Sequence, residues 1–288
     1  MSYRCRSAYK LLELDDKFMV FGKNSRTVVD LAAAPGGFSQ VALERMHSSH
    51  KTSVGHFSAP VVLAFDTRPL EPLQGLHAVL CDINDHKRIV GHVKEFLSDK
   101  KHFAGYGDYR HVDVVLHDGV SVGKSQSAYS VTYAQNQMAL GALRLASELF
   151  SLTPQRLGIQ RPPRAVAGEA MLSKSANTQH GVFVTKLMHS SHFNTVLSAV
   201  KAHFRFVAVH KPAECAAGSN ETYVVARGPS PRGKRWRNSL AADKHFSLLS
   251  LPPCIDDVLP GRQIVWRCWG CLSYCMGTSP CANCSHGR

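Results

Sequence analysis

The chain reads as an α/β protein: a mainly parallel, seven-stranded sheet with helices on both faces and an antiparallel hairpin at one edge. Three observations lead there. Short apolar runs, lacking the polar alternation of a half-exposed strand, alternate with stretches of helical period. A small-residue turn, Ala33-Ala34-Pro35-Gly36-Gly37, stops the first run and opens a helix. The last two runs are joined by a Gly-containing loop with no helix between them, which suits an antiparallel pair and not a parallel one.

Residues 3–18 carry Tyr9, Leu11, Leu12, Leu14 and Phe18 among charges, the pattern of an amphipathic helix. Thr27–Ala32 is the first strand and Phe38–Met46 the next helix, followed by a polar loop over 47–60. Val61–Asp66 and His77–Cys81 are strands, His86–Leu97 a helix, and Val112–His117 a fourth strand. Val131–Phe150 has Ala, Leu and Met at helical spacing. Gly181–Leu187 is a fifth strand and Phe193–His203 a helix, and Phe204–His210 with Thr222–Arg227 completes the sheet. Thr153–His180 is rich in Pro, Arg and Ser without a period, so about 153–180 is a surface insertion. Composition shifts again after Gly228, dividing the chain into a domain over 1–228 and a basic, Cys-rich tail over 229–288.

At 44% hydrophobic residues the chain can fill a core, which excludes wholesale disorder. Lys and Arg number 34 against 21 Asp and Glu, a net charge of +13. Such an excess points to a polyanionic partner, nucleic acid first and a membrane surface second. No apolar run approaches the ~18 residues that a bilayer span requires. Met1–Arg6 is not followed by a signal-peptide core. Of nine cysteines, Cys5, Cys81 and Cys215 are scattered and six crowd the C-terminal end, unlike a secreted disulfide scaffold, so a reducing compartment is expected.

Val29–Phe38 takes a strand through a small-residue turn into a helix, the place where a doubly wound sheet receives a nucleotide-like ligand. Ala34, Pro35, Gly36, Gly37 and Phe38 are the candidate contacts, the glycines letting a ligand approach the backbone. The turn is neither G-x-G-x-x-G nor a phosphate loop ending in G-K-[ST], which weakens dinucleotide and ATP readings. Asp66 at the second strand end suits ribose hydroxyls, and Asp82 after the third suits an adenine amine. Each alone reads as a turn residue or a cap. In register they outline an adenosine pocket without a phosphate clamp, which fits S-adenosylmethionine. Lys10, Asp118, Lys186 and Glu221 can converge on the same end of the sheet, although each has an ordinary reading as an ion pair.

Tyr3–Leu14 resembles the opening helix of the FtsJ/RrmJ family of RNA ribose 2′-O-methyltransferases, and Asp30–Gln40 resembles its methyl-donor loop. The resemblance spans about residues 3–227. It implies a Rossmann-like, S-adenosylmethionine-dependent methyltransferase fold, with the family's Lys-Asp-Lys-Glu catalytic set on Lys10, Asp118, Lys186 and Glu221. Lys186 would be the general base, kept near neutral by burial and by Lys10; Asp118 would orient it and face the donor, and Glu221 would balance the lysines. No metal takes part in that scheme. Asp66–Pro72, Cys81–Ile83, Leu116–Gly119 and Phe183–Lys186 look most like the eukaryotic branch, which holds nucleolar large-subunit pre-rRNA enzymes and tRNA anticodon-loop enzymes. His117 and Val122-Gly123 lean toward the pre-rRNA side.

The resemblance therefore implies RNA as partner, rRNA ahead of tRNA, with pre-ribosomal particles and a nuclear or nucleolar location favoured and mitochondrion or cytoplasm open. Arg4, Arg6, Lys17 and Lys23 are read as exposed contacts to the RNA backbone. Two departures stand out: Val120-Ser121 where the family has Ala/Ser-Pro, and Cys215-Ala216 where it has Ser-Arg. They keep a second reading in play, an RNA-binding ribosome-assembly factor with weak or no catalysis. A small-molecule methyltransferase is disfavoured by the charge and the lysine pair. In the tail, Cys268-Trp-Gly-Cys271 and Cys281-Ala-Asn-Cys284 have the paired spacing of a structural zinc site, outside the family resemblance.

Overall fold

A computed structural model describes residues 2–23, 25–50, 59–99, 110–120, 128–152, 181–190, 192–216, 218–229, 265–267 and 274–276. The expected insertion at 153–180 and the four tail cysteines Cys268, Cys271, Cys281 and Cys284 lie outside these residues.

The sheet is built from β1 (Thr27–Leu31), β2 (Val61–Asp66), β3 (Leu76–Leu80), β4 (Val114–His117), β5 (Val182–Met188), β6 (Phe204–His210) and β7 (Glu221–Pro229). Its order is β3-β2-β1-β4-β5-β7-β6. The first five strands pair in parallel, and β7 runs antiparallel to both β5 and β6. The hairpin is thus inserted with its second strand inward, so that β7, not β6, meets β5. Apolar Val, Leu and Phe line both faces of β1, β2, β4 and β5, as strands covered on two sides require.

The helices are α1 (Ser7–Phe18), α2 (Gly37–His50), α3 (His86–Ser98), α4 (Ala128–Leu149) and α5 (Phe193–His203). One core joins α3, α4 and α5 to one face through Leu97, Leu143, Phe183 and Val200. A second joins α1 and α2 to the other through Leu11, Leu14, Val41 and Val184. Residues 3–6 do not extend α1 as expected. They run back over α2, where the Tyr3 hydroxyl donates to Glu44 Oε2 at 2.9 Å and the Arg4 amide to Gln40 Oε1 at 3.1 Å. In the tail, β8 (Val265–Arg267) and β9 (Tyr274–Met276) form an antiparallel pair. Among the described residues no helix is long and apolar enough to cross a membrane.

Candidate active site

Parallel strands deliver their last residues to one edge, and the unpaired side chains there face a common crevice. Asp30 and Asp66 occupy the ends of β1 and β2, Asp118 follows β4, and Lys186 lies near the end of β5. Strand β7 enters from the opposite direction, so its first residues meet the last ones of β5: Glu221 is registered with Met188 and Tyr223 with Lys186.

Four expected residues are brought together, and a fifth joins them. Lys186 Nζ lies 2.9 Å from Asp118 Oδ1 and donates to the Asp118 backbone oxygen at 2.9 Å. Lys10 Nζ, from α1, donates to Glu221 Oε1 at 2.6 Å. Between the two ion pairs stands Tyr223, fully buried, with its hydroxyl 2.6 Å from Asp118 Oδ1 and 2.7 Å from Glu221 Oε1. One hydroxyl proton serves one carboxylate at a time, so Tyr223 couples the pairs. Burial, then the charges of Asp118 and Glu221, push its phenol well above 10 and keep it protonated. For Lys10, burial works against the ammonium, but the hydrogen bond and charge of Glu221 outweigh it and the pKa rises. Sequence reasoning missed Tyr223. The signal was its place two residues after Glu221, because alternate residues of a strand share a face.

The carboxylate side of the crevice is held by the chain itself. Asp66 is buried and accepts from the Ala34 amide at 2.9 Å and the Arg68 amide at 2.8 Å, so it ties the small-residue turn to β2. Ala32 (φ 56°) and Gly36 (φ 105°) turn the chain in the left-handed region, where only Gly is free of Cβ strain. Asp30 is buried, accepts from Ser39 Oγ at 2.6 Å, and its Oδ1 has no partner. Burial, with Asp118 and Asp66 adding repulsion against the Ser39 bond, holds this carboxyl up at about 7. Three carboxyl groups within electrostatic reach, one with an orphaned oxygen, fit a cationic ligand such as a sulfonium. Behind them His117 donates to or accepts from Thr185 Oγ1 at 2.9 Å. Burial and the Lys186 charge lower it to about 4, so it stays neutral.

Several expected contacts have other neighbours. A Cβ on Gly36 would meet Arg4 Nη1 at 2.8 Å, and one on Gly37 would collide with Cys5 Sγ. The close approach at these glycines is therefore made by the chain's own segment 3–6. Phe38 is buried, its ring packed on Tyr223 at 6.3 Å between centroids. Pro35 follows Ala34 through a cis peptide bond. Asp82 is exposed and accepts from the Asn84 amide and Nδ2, both at 2.9 Å, while Asp85 caps α3. Arg4 is half-buried, and its guanidinium donates to the carbonyls of Glu71 and Pro72 at 2.9 and 3.1 Å, closing the loop after β2. Arg6, Lys17 and Lys23 are exposed, with Arg6 3.5 Å from Glu214 and Lys17 Nζ 3.2 Å from His210 Nδ1. Cys215 is buried, and burial followed by the Glu221 charge raises its thiol. Among the described residues no group of three or more His, Cys, Asp or Glu could hold a metal ion.

The family model for FtsJ-like methyltransferases matches residues 3–229, from the segment over the turn to the end of β7. The chain belongs to the FtsJ-like methyltransferase family. It is 31% identical over 225 residues to the ribosomal RNA large subunit methyltransferase E of Anaplasma phagocytophilum, covering 78% of this chain and 71% of that protein. It is 30% identical over 229 residues to the AdoMet-dependent rRNA methyltransferase spb1 of Schizosaccharomyces pombe, covering 78% of this chain but 22% of that longer protein. The crystal structure of a ribosomal RNA methyltransferase from Plasmodium falciparum matches 79% of this chain and 98% of its own, with a TM-score of 0.54 at 19% identity. That likeness shows a shared fold. The FtsJ-like sheet and its helices are those expected from the sequence, with the position of β7 added.

Proposed function

We propose that this FtsJ-like methyltransferase transfers the methyl group of S-adenosylmethionine to a ribose 2′-hydroxyl of RNA, ribosomal RNA first. The observation that carries this is the chain of contacts from Lys186 through Asp118, Tyr223 and Glu221 to Lys10 at the carboxyl ends of the parallel strands.

Asp30 and Asp118 would face the donor's positive charge, and Asp82 would bound its adenosine. When bound, the sulfonium supplies an electrophilic methyl group and leaves as a neutral thioether. Lys186 Nζ has two acceptors on Asp118, its Oδ1 and its backbone oxygen, so the remaining position on the nitrogen is the one open to a substrate hydroxyl. After giving up one proton to solvent, Lys186 would take the 2′-OH proton, a contribution of general-base type. Lys10 stays cationic against Glu221 and keeps the far end of the chain fixed. Arg6, Lys17 and Lys23 would meet phosphates and position the RNA without reading its sequence.

The net charge of +13 and the names of the relatives support an RNA substrate. The resemblance to the eukaryotic branch favours pre-ribosomal RNA in the nucleus or nucleolus. The spacing of Cys268, Cys271, Cys281 and Cys284 supports one zinc ion in the tail, and metal analysis of purified protein should find about one equivalent; none, with all thiols titratable, excludes it. The central test is methyl transfer to rRNA and to tRNA, with digestion to nucleosides and Lys186→Ala as control. 2′-O-methylation of rRNA that disappears in the variant is expected. Methylation of tRNA alone moves the substrate, and none at all removes the enzymatic reading in favour of an assembly factor.

A further inference from the structure

The parallel ladder between β4 and β5 ends at His117↔Thr185. Asp118 therefore stands past the last rung of β4, and Lys186 past the last rung of β5 on that side. Two adjacent amides of α4 take over. Gln135 Nε2 donates to the Gly119 backbone oxygen at 2.7 Å, pinning the chain as it leaves β4. Asn136 reads both polar groups of one peptide residue: Nδ2 donates to Met188 O at 2.9 Å, and Oδ1 accepts from Met188 N at 2.8 Å. Its second N–H reaches Ser190 Oγ at 3.0 Å. Asn136 is fully buried and Gln135 nearly so, at 4% exposure.

A buried carboxamide is costly unless all its bonds are made, and an apolar side chain would pack α4 onto the sheet without that demand. Here the carboxamide replaces the missing rung of β4. Met188 is also the residue registered with Glu221, so the same clamp fixes the strand end behind two members of the ion-pair chain. Gly119 is held tightly on its other side as well, since a Cβ there would lie 2.7 Å from His117 Nε2.

We propose that Asn136, with Gln135 beside it, is a positioning residue for methyl transfer: its side chain is a detached β-rung at Met188, and together with the Gln135 bond to Gly119 it sets the spacing between Asp118 and Lys186. This rests on the catalytic reading given above.

The test compares Asn136→Ala and Gln135→Ala with Leu140→Ala, a core truncation on the same helix whose side chain has no polar atom to bond either strand end. Initial rates on rRNA, donor affinity by calorimetry and a crystal structure are measured for each. Asn136→Ala is expected to lower kcat by about 100-fold, the scale of an ångström-sized misplacement, with donor Kd and RNA KM within a few-fold of wild type. Leu140→Ala should keep its kcat below its unfolding temperature. An unchanged kcat in Asn136→Ala, or an equal fall in Leu140→Ala, overturns the proposal. If Asn136→Ala does not fold, Gln135→Ala carries the same comparison. If wild-type protein methylates no RNA, the catalytic reading fails, and the crystal structures still decide: Lys186 Nζ remaining at hydrogen-bond distance from Asp118 Oδ1 in both amide variants refutes the clamp.

Discussion

Tyr223→Phe removes one oxygen from a fully buried ring and leaves the packing on Phe38 in place. The lost hydroxyl is within 2.7 Å of both Asp118 and Glu221. Hydrogen bonds to charged groups contribute about 1.5–3 kcal/mol. Each carboxylate keeps its lysine, at 2.9 Å for Asp118 and 2.6 Å for Glu221, so neither is stranded and the loss stays at the size of one bond. If the whole loss falls on the transition state, kcat drops by roughly 10- to 150-fold, at tenfold per 1.36 kcal/mol. If it falls on the folded state alone, unfolding free energy drops by about the same 1.5–3 kcal/mol and kcat does not move. Single-turnover transfer of labelled methyl to rRNA separates these outcomes when paired with urea unfolding. The coupling of the two ion pairs predicts a fall in the transfer step. A variant within twofold of wild type in that step shows that the phenol is only a structural bridge.

Lys186→Arg should abolish transfer, by more than about 10²-fold, because a guanidinium keeps its proton, while donor binding stays within a few-fold; substantial turnover removes the general-base role. Asp30→Asn should gain on wild type as pH rises. The folded carboxyl holds its proton up to about 7 against an ordinary value of 3.8, so its stabilisation is full below 3.8 and lost as pH rises through 7. Unfolding free energies at pH 4 and pH 8 should show the difference between variant and wild type widen by up to about 4 kcal/mol; a constant difference refutes the burial argument. Asp82→Ala should weaken donor affinity by about 1–3 kcal/mol in calorimetry, and an unchanged Kd places the adenine elsewhere.

How far the sequence speaks depends on whether a feature is local. The strand run Val29–Leu31 and its small-residue turn are local, as are the apolar faces of α1 and α3, and all were legible. The order β5-β7-β6 depends on which edge a late strand finds, and no periodicity encodes that. Within the site, charged residues at strand ends announced themselves, while nothing set Tyr223 apart within the strand Thr222–Arg227. Gln135 and Asn136 were not singled out within the long helix, since an amide that substitutes for a backbone rung looks no different in sequence from one in water. The partners of Arg4 were not legible for a related reason. An arginine near a basic N-terminus reads as a phosphate contact, but the carbonyls of Glu71 and Pro72, distant in sequence, complete its coordination.

The insertion of β7 between β5 and β6 also has a temporal meaning. Glu221 and Tyr223 belong to the last strand of the sheet to leave the ribosome, after Lys10, Asp118 and Lys186 are already made. A nascent chain that stops short of residue 221 holds both lysines and only one of their carboxylate partners. Its β5 also presents an open hydrogen-bonding edge until β7 arrives, the kind of edge that recruits foreign strands. Completion of the ion-pair chain and protection of that edge thus come in a single docking event, and under the proposed mechanism an incompletely synthesised chain would lack both at once.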